Sequence, residues 1–497
     1  MGLLASRQSG VGNPHKSAYF HPFHVAWGAR FVDTQRACWY RPRVSSPSSS
    51  LASPTPLAGW GLYPSAPCHL VQAEWPSDIQ RLTRHEPSVA RGLGRSYGDP
   101  AVNSQGQVIS IAKLDRYLGF DEATGTLVCE SGVSLEQIIK DFAPRGWFPA
   151  ITPGTKYVTI GGCIANDIHG KAHHAQGSFV TCVDSVRVLL ANGELVNASR
   201  EENADLFWGL FGGLGLLGFI IDATIRLRKI ESSYFRQKAV VVKDLKHMLE
   251  VLDEYNSVYP YSVAYADPIA TGNRLGQGVV SFGEHATPAE LPPKLAKNPL
   301  AVGKPQRLVV PFMLPTFTLN WLTRRIVNLA AKTSLAYKGE FGHYEGFFYP
   351  LDAIGHWNRG YGKRGFTQYQ YVIPLEDGYR RMREIFETIV SSGNNPFLNV
   401  LKRLGPSSGG VLSFPDTGYT FAIDFPVQNT TSALTKRLDA MVLDAGGRIY
   451  LGKDAFIDAE TFAKMYPNAI DTWHALKRKY DPENRFTSNL GRRVGLC

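Results

Sequence analysis

The sequence predicts an α+β protein of two domains behind a disordered leader, on three observations. Its 497 residues, 44% hydrophobic and 19% charged, suffice for two or three ordinary domains with a sizeable core. From Leu57 to about Ile230, short β-branched runs alternate with helical patterns among many glycines. From Ser232 to Gly447, strands with aromatic alternation are interspersed with longer helices. The leader, residues 1–56, ends in the Ser/Pro tract Val44–Pro56, which cannot pack a core.

In chain order, the leader carries six basic residues (Arg7, Lys16, Arg30, Arg36, Arg41, Arg43) and one acid (Asp33), half of the formal net charge of +10. The remaining 441 residues hold 47 basic and 42 acidic side chains, so the body is only mildly basic and nothing in it calls for nucleic acid. No apolar block follows the leader's charges, which argues against a secretory signal. Its Arg- and Ser-rich, acid-poor composition weakly resembles an organellar transit peptide, but a disordered tail or an over-extended translation start is the preferred reading. The apolar runs Phe211–Ile225 and Leu308–Leu322 are broken by Gly or Pro, so no membrane helix is expected. The expected location is cytoplasmic or peripheral to a membrane. Six scattered cysteines without a Cys-x-x-Cys pair predict reduced thiols, not a disulfide framework.

Strands are expected at Ser88–Ala90, Val108–Ile111, Thr126–Glu130, Val183–Leu190 and Phe219–Leu227. Helices are expected at Ser134–Phe142, with Ser134 as N-cap and Gln137 completing a capping box, and at Asn203–Phe211, where Leu206, Phe207 and Leu210 share a face. Further on, strands at Thr367–Ile373 and Thr420–Val427 and helices near Asp244–Tyr255, Gly378–Ser391 and Thr431–Ala445 predict a sheet covered on one face. The Pro-rich Ala286–Pro315 reads as a long surface connection.

Three glycine-bearing segments stand out: Arg91–Asp99 (RGLGRSYGD), Pro153–His174 (PGTKYVTIGGCIANDIHGKAHH) and Gly212–Gly218 (GGLGLLG). The third contains Gly213-x-Gly215-x-x-Gly218, formally a dinucleotide fingerprint. That fingerprint needs a strand before and a helix after it, and here the order is reversed, which excludes an NAD-type Rossmann site. The first two segments allow positive φ and close backbone approach, so successive N–H groups can cradle phosphate oxygens; tight turns alone are the other reading.

Arg91–Asp99, Pro153–Gly154, Thr159–Gly162 with His169–Gly170, and Gly212–Leu227 resemble, in this order and spacing, the PCMH-type FAD-binding domain of the vanillyl-alcohol-oxidase superfamily. The chain further resembles those members that oxidise a polyprenyl-phospho-ribose. The likeness is carried by Asp167–Phe179, Trp357–Gly362, Gln368–Pro374, Phe397–Pro406, Asp424–Pro426 and Glu460–Pro467, and it runs from about Gly59 to the C-terminus. It implies a two-domain PCMH-type fold: an FAD-binding domain at 57–231, a sheet-based substrate or cap domain at 232–447, and a segment at 448–497 that returns to the FAD domain. The implied activity is FAD-dependent oxidation of a sugar hydroxyl, C2′ of decaprenylphosphoryl-β-D-ribose above all. The product is the 2′-keto sugar, the first half of epimerisation to the arabinose donor for cell-wall arabinan. A separate NAD(P)H-dependent short-chain reductase is the implied partner.

The resemblance implies FAD contacts from Arg91, Gly92, Leu93, Gly94, Arg95, Ser96, Tyr97, Gly98, Asp99, Gly154, Thr159, Ile160, Gly161, Gly162, Asn166, Asp167, Ile168, His169, Ile220 and Tyr450. Lys453 matches the family's essential lysine. A lysine in an apolar pocket could act as a base or remain a charged donor to the substrate. With His169 it forms the implied catalytic set. Tyr97, Tyr349, Gln368, Gln370, Lys402, Asp424 and Lys453 are implied at the substrate, and Gln368 and Gln370, two apart, face one side of a strand. Relatives with covalent flavin carry a histidine in the first glycine loop, where this chain has Arg95–Tyr97, so non-covalent FAD is expected. A metal at His169, His173 and His174 is not expected, because Gly170 and Gly177 argue against the helix that would align them. One departure is Ala422, where relatives trapped by nitro-aromatic inhibitors carry a cysteine. A soluble sugar, alditol or aldonolactone oxidase and a non-catalytic flavin-binding protein are the other readings.

Overall fold

A computed structural model describes residues 53–497 except 85, 304, 305, 307, 316, 317, 338 and 395. Of the leader, only its last residues fall within this range. Strand structure begins at Thr55, two residues earlier than the Leu57 boundary: Thr55–Ala58 is an edge strand antiparallel to Ser65–Gln72. Pro56 is tolerated there because an edge strand leaves one row of backbone N–H groups unpaired in any case.

Three larger sheets organise the described residues, beside a two-stranded one that pairs Leu308–Val309 with Ile354–Gly355. The first has the order Thr55–Ala58, Ser65–Gln72, Gln107–Ser110, Ser88–Arg91, with parallel pairing among its last three strands. The second is antiparallel and centred on Phe219–Lys229, which lies between Thr126–Glu130 and Val183–Leu189. The helix Ala204–Leu210 precedes that central strand, so the helix–glycine-turn–strand order read from the sequence is the one observed. Helix Leu135–Phe142 is capped by the Ser134 hydroxyl, which accepts from the Gln137 amide at 3.1 Å. The expected box does not close, because the Gln137 side chain donates instead to the Asp115 carbonyl at 3.0 Å.

The third sheet is antiparallel and eight-stranded, in the order Phe341–His343, Tyr234–Val242, Gly278–His285, Tyr261–Ala266, Asn399–Leu404, Gly418–Pro426, Phe366–Ile373, Arg448–Ile449. One face carries Phe282, Leu401, Phe421, Ile423, Tyr369 and Tyr371 into a core with the helices Leu245–Tyr255, Gly378–Ser391 and Thr431–Asp444. Alternation sends the neighbouring residues to the opposite face. There the register pairs Gln368 with Asp424, Gln370 and Val400 with Ala422, and Lys402 with Thr420. At the far end of the same face, helix Trp321–Ala336 is pinned by Asn328, which accepts from the Tyr265 hydroxyl at 2.9 Å and donates to Asp267 at 2.8 Å.

The segment from residue 448, expected to leave the large sheet, begins as its two-residue edge strand and crosses to the first sheet only afterwards. So short a strand has no periodicity to read. Beyond it, Phe486 bridges Ser88, and Arg493 pairs with both Asp99 and Asp454 at 2.7 Å. The described cysteines Cys68, Cys129, Cys163, Cys182 and Cys497 are free thiols. Among the described residues, no helix is long and apolar enough to cross a membrane.

Candidate active site

A cavity of about 1180 Å³ lies between the glycine segments and the open face of the large sheet. That exceeds the roughly 300–1,000 Å³ of an ordinary ligand pocket and leaves room for a cofactor and a substrate together. Its floor is one pleat face: Ser281, Val263, Tyr265, Val400, Lys402, Ala422, Gln368 and Gln370 all line it. The opposite wall is built by Gly92–Tyr97, Gly154, Thr159, Gly161, Gly162, Asn166, Ile168, His169, Ile220 and Tyr450.

Close approach explains the glycines. A Cβ on Gly92 would stand 2.3 Å from the Thr159 hydroxyl, and one on Gly98 would stand 1.7 Å from the Asp454 carbonyl oxygen. Gly94 has φ +63°, which a side chain would disfavour. Among the described residues, the backbone N–H groups of Leu93, Gly94, Arg95 and Ser96 find no acceptor. Arg95 Nε, Asn166 Oδ1, His169 Nδ1 and Gln370 Oε1 are buried around the cavity without a partner among the described residues. Buried polar atoms are rarely left unsatisfied, and four of them beside unpaired loop amides fit a group with phosphates and a polar ring.

Five residues expected at the cofactor do not reach the cavity. The Arg91 guanidinium turns back to the carbonyls of Ala58 (2.7 Å) and Ala101 (3.0 Å). Gly98 packs beneath Asp454, and Asp99 holds Arg493. Ile160 points into the core. Asp167 is fully buried, where it accepts from the Ser178 hydroxyl (2.7 Å), the Val180 amide (3.1 Å) and the Ser413 hydroxyl. Burial pushes its carboxyl up to about 6 against those three donors. These five brace the wall from behind.

The polar floor is a chain of contacts. The Lys453 ammonium donates to Gln368 Oε1, and the Gln368 amide donates to Asp424, which also accepts from the Tyr361 hydroxyl at 3.3 Å. Asp424, expected at the substrate, shares the floor's pleat face with its register partner Gln368 but is fully buried and does not line the cavity, being held by Gln368 and Tyr361. Lys453 lies 5.5 Å from the centre of the Tyr97 ring. Burial pushes Lys453 down, opposed by the Asp424 charge, and pushes Asp424 up, opposed by the Gln368 amide and Lys453. Lys402 falls to about 7, from burial first and the neighbouring Lys453 charge second. Both lysines keep some accessible surface, but that surface faces the cavity within the protein mass.

The His169 ring lies 5.3 Å from that of Tyr450 and 5.4 Å from that of Phe414. The Gln370 amide donates to its Nε2 at 3.0 Å, which assigns the proton of the neutral ring to Nδ1. Burial holds this histidine well below its ordinary pKa, so it stays neutral. Tyr349 also lines the cavity, hydrogen-bonded to Thr152 at 2.6 Å. His173–Gln176 is a one-turn helix, contrary to the expectation drawn from Gly170 and Gly177; a single turn fits between them and ends at Gly177. His173 Nδ1 accepts from the Gly405 amide and His174 Nε2 meets the Tyr259 carbonyl, both at 3.1 Å, so each of these rings has a protein partner.

Three lining features escaped the sequence reading. Lys171 Nζ donates to the Phe347 carbonyl, Lys156 pairs with Glu345, and Trp60 lies 4.0 Å from the Arg95 guanidinium. Lys171 sits inside the DIHGKAHH motif, which was the available signal; the other two depend on contacts between distant segments.

Comparison with known proteins agrees with this geometry. Residues 73–199 match the model of an FAD binding domain, and residues 363–494 that of D-arabinono-1,4-lactone oxidase. Decaprenylphosphoryl-beta-D-ribose oxidase of Mycolicibacterium smegmatis is 39% identical over 88% of this chain and 97% of its own. An uncharacterised Streptomyces coelicolor protein is 32% identical over 73% of this chain and 100% of its own. A carbohydrate oxidase of Microdochium nivale is 26% identical over 52% of this chain and 53% of its own.

Proposed function

Because the chain belongs to the family of FAD-dependent oxidoreductases that includes decaprenylphosphoryl-beta-D-ribose oxidase, we propose that it oxidises C2′ of a polyprenyl-phospho-pentose, decaprenylphosphoryl-β-D-ribose foremost, to the keto sugar. The observation that carries the reading is the pair Lys402 and Lys453, two cations pressed together by burial on the floor of one cavity. An anionic substrate relieves their repulsion, whereas a neutral soluble sugar does not. The FAD would lie along Gly92–Tyr97, Gly154, Thr159, Gly161, Gly162, Asn166 and His169, and Tyr97, Tyr349, Gln368, Gln370 and Lys402 would hold the sugar phosphate. Bound flavin supplies the hydride acceptor. Lys453, lowered by burial, gives up its own proton first and then takes the hydroxyl proton as a neutral amine, and Gln368 Oε1 orients its nitrogen by accepting an N–H. Neutral His169 presents Nδ1–H as a fixed donor. The flavin is held non-covalently, no histidine occupying Arg95–Tyr97. A keto product calls for a separate NAD(P)H-dependent reductase, and a polyprenyl tail calls for work at a membrane surface.

The test is anaerobic mixing of the flavoprotein with decaprenylphosphoryl-ribose and with soluble sugars while flavin absorbance is followed. Rapid bleaching by the lipid-linked sugar alone is expected, as is its loss in Lys453→Ala with FAD retained. Faster bleaching by an alditol or aldonolactone overturns the substrate, and bleaching by none leaves only a flavin-binding protein. Flavin that stays with acid-denatured protein overturns non-covalent binding.

A further inference from the structure

The charge of the ordered body is not evenly spread. Between Leu291 and Gly339 the sequence has eight basic residues (Lys294, Lys297, Lys304, Arg307, Arg324, Arg325, Lys332, Lys338) and no acid. The same stretch holds helix Trp321–Ala336, whose sides are inverted relative to an ordinary surface helix. Its inner side sets polar Asn328 and Lys332 against Asp267, and Ala331, Ser334 and Leu335 against the cavity. Its outer side shows Leu322, Ile326 and Leu329 at helical spacing, beside Trp321, which is 66% exposed; Leu329 is 67% exposed. Arg325 lies 5.5 Å from the Trp321 ring. Nearby in sequence, Leu308 and Phe312 are exposed too, and Leu308 also lines the cavity. Contiguous exposed apolar side chains among basic ones are the composition of a helix lying in a bilayer interface.

We propose that the outer face of Trp321–Ala336, with Leu308–Phe312 beside it, docks on an anionic lipid bilayer, so that one helix separates the membrane from the active-site cavity. The proposal deepens the reading of a polyprenyl-linked substrate and rests on it for its purpose. The charge selects the occupant. A two-fold contact with a second copy would set Arg325 near its own counterpart with no acid from Leu291–Gly339 to offset it, because such an interface is self-complementary. A bilayer with anionic headgroups meets Arg325 attractively while its acyl region receives Trp321, Ile326 and Leu329. A prenyl chain that stays in the bilayer then needs to pass only one helix to bring its phosphate to Lys402 and Lys453.

The test is co-sedimentation of the flavin-loaded protein with phosphatidylcholine vesicles, with and without phosphatidylglycerol. Binding is expected only with phosphatidylglycerol, weakening as salt rises. Arg325→Glu and the double variant Trp321→Ser/Leu329→Ser should each bind about tenfold or more weakly. Both should keep their flavin content, thermal midpoint and rate with a detergent-soluble short-chain prenyl-phospho-ribose. Quenching of tryptophan fluorescence by brominated lipid, lost in Trp321→Phe, gives a reading from protein whose fold is not in question. No binding to anionic vesicles, equal binding by the variants, or a concentration-dependent dimer dissolved by the double variant overturns the proposal. If the short-chain substrate fails to reduce the wild type, the substrate reading falls while the vesicle result stands by itself.

Discussion

Asp424→Asn tests the polar floor directly. Asp424 is the charge that holds a proton on Lys453 against burial, acting across a single glutamine amide. Asparagine keeps the size and can still bond Gln368, but it carries no charge. At an effective dielectric constant of about 20, a unit charge at that range is worth about 2–3 kcal/mol. By the conversion of 1.36 kcal/mol per pKa unit, the variant's Lys453 should lose its proton about one to two pH units lower. Asp424 is itself pushed up by burial, so it exerts this hold only above its own raised pKa, and the difference should appear on the alkaline side. The assay is the anaerobic rate of flavin reduction followed across pH. If Lys453 accepts the hydroxyl proton, the rate rises with pH in the wild type, and that rise moves to lower pH in the variant. If Lys453 serves as a charged donor, the rate falls with pH, and the fall moves the same way. A limb that stays in place, or moves to higher pH, refutes the assignment of Asp424 as the controlling charge.

Gly98→Ala sets a methyl 1.7 Å from the Asp454 carbonyl oxygen, a backbone atom that cannot swing aside. A loss of about 3 kcal/mol or more is expected, read as a lower thermal midpoint with poor flavin retention; full flavin and an unchanged midpoint would contradict it. Asp439, bonded to the Tyr369 hydroxyl at 2.8 Å, is pushed up to about 8, by burial first and then by the Asp454 charge. The folded chain therefore keeps a proton that the unfolded chain releases above about pH 4. Stability should fall as pH rises from there toward about 8, and Asp439→Asn should flatten that slope in chemical denaturation; equal slopes would exclude Asp439 as its source. Ala422 offers no thiol on the cavity floor, so nitro-aromatic inhibitors should leave no adduct on strand Gly418–Pro426, whereas Ala422→Cys should gain one by mass spectrometry.

The glycine loops were legible because glycine is informative in itself: a position such as Gly92, which tolerates no Cβ against Thr159, can hold little else. Strands such as Thr126–Glu130 and, in the large sheet, Phe366–Ile373 and Gly418–Pro426 were legible from their alternation. Gln368 and Gln370 were placed on one side by the same rule, but which side faced the cavity required the register with Asp424 and Ala422. The depth of Asp424 was not legible, because burial against Gln368 depends on a residue 56 positions away. The Lys156–Glu345 pair and the stacking of Trp60 on Arg95 were hidden for the same reason. Charge averaged over 441 residues concealed a basic stretch that a local count discloses.

The contacts made by the last residues bear on how the molecule is made. Phe486 joins the strand beginning at Ser88, the Asn489 amide donates to the Val102 carbonyl at 2.8 Å, and Arg493 clamps the end of the first glycine loop to the loop that carries Lys453. During synthesis, the amino-terminal half therefore emerges with its nucleotide cradle unbraced and waits until Arg493 has left the ribosome. Flavin capture becomes a late event of biogenesis, and a nascent chain stopped short of Arg493 lacks the clasp that closes the site.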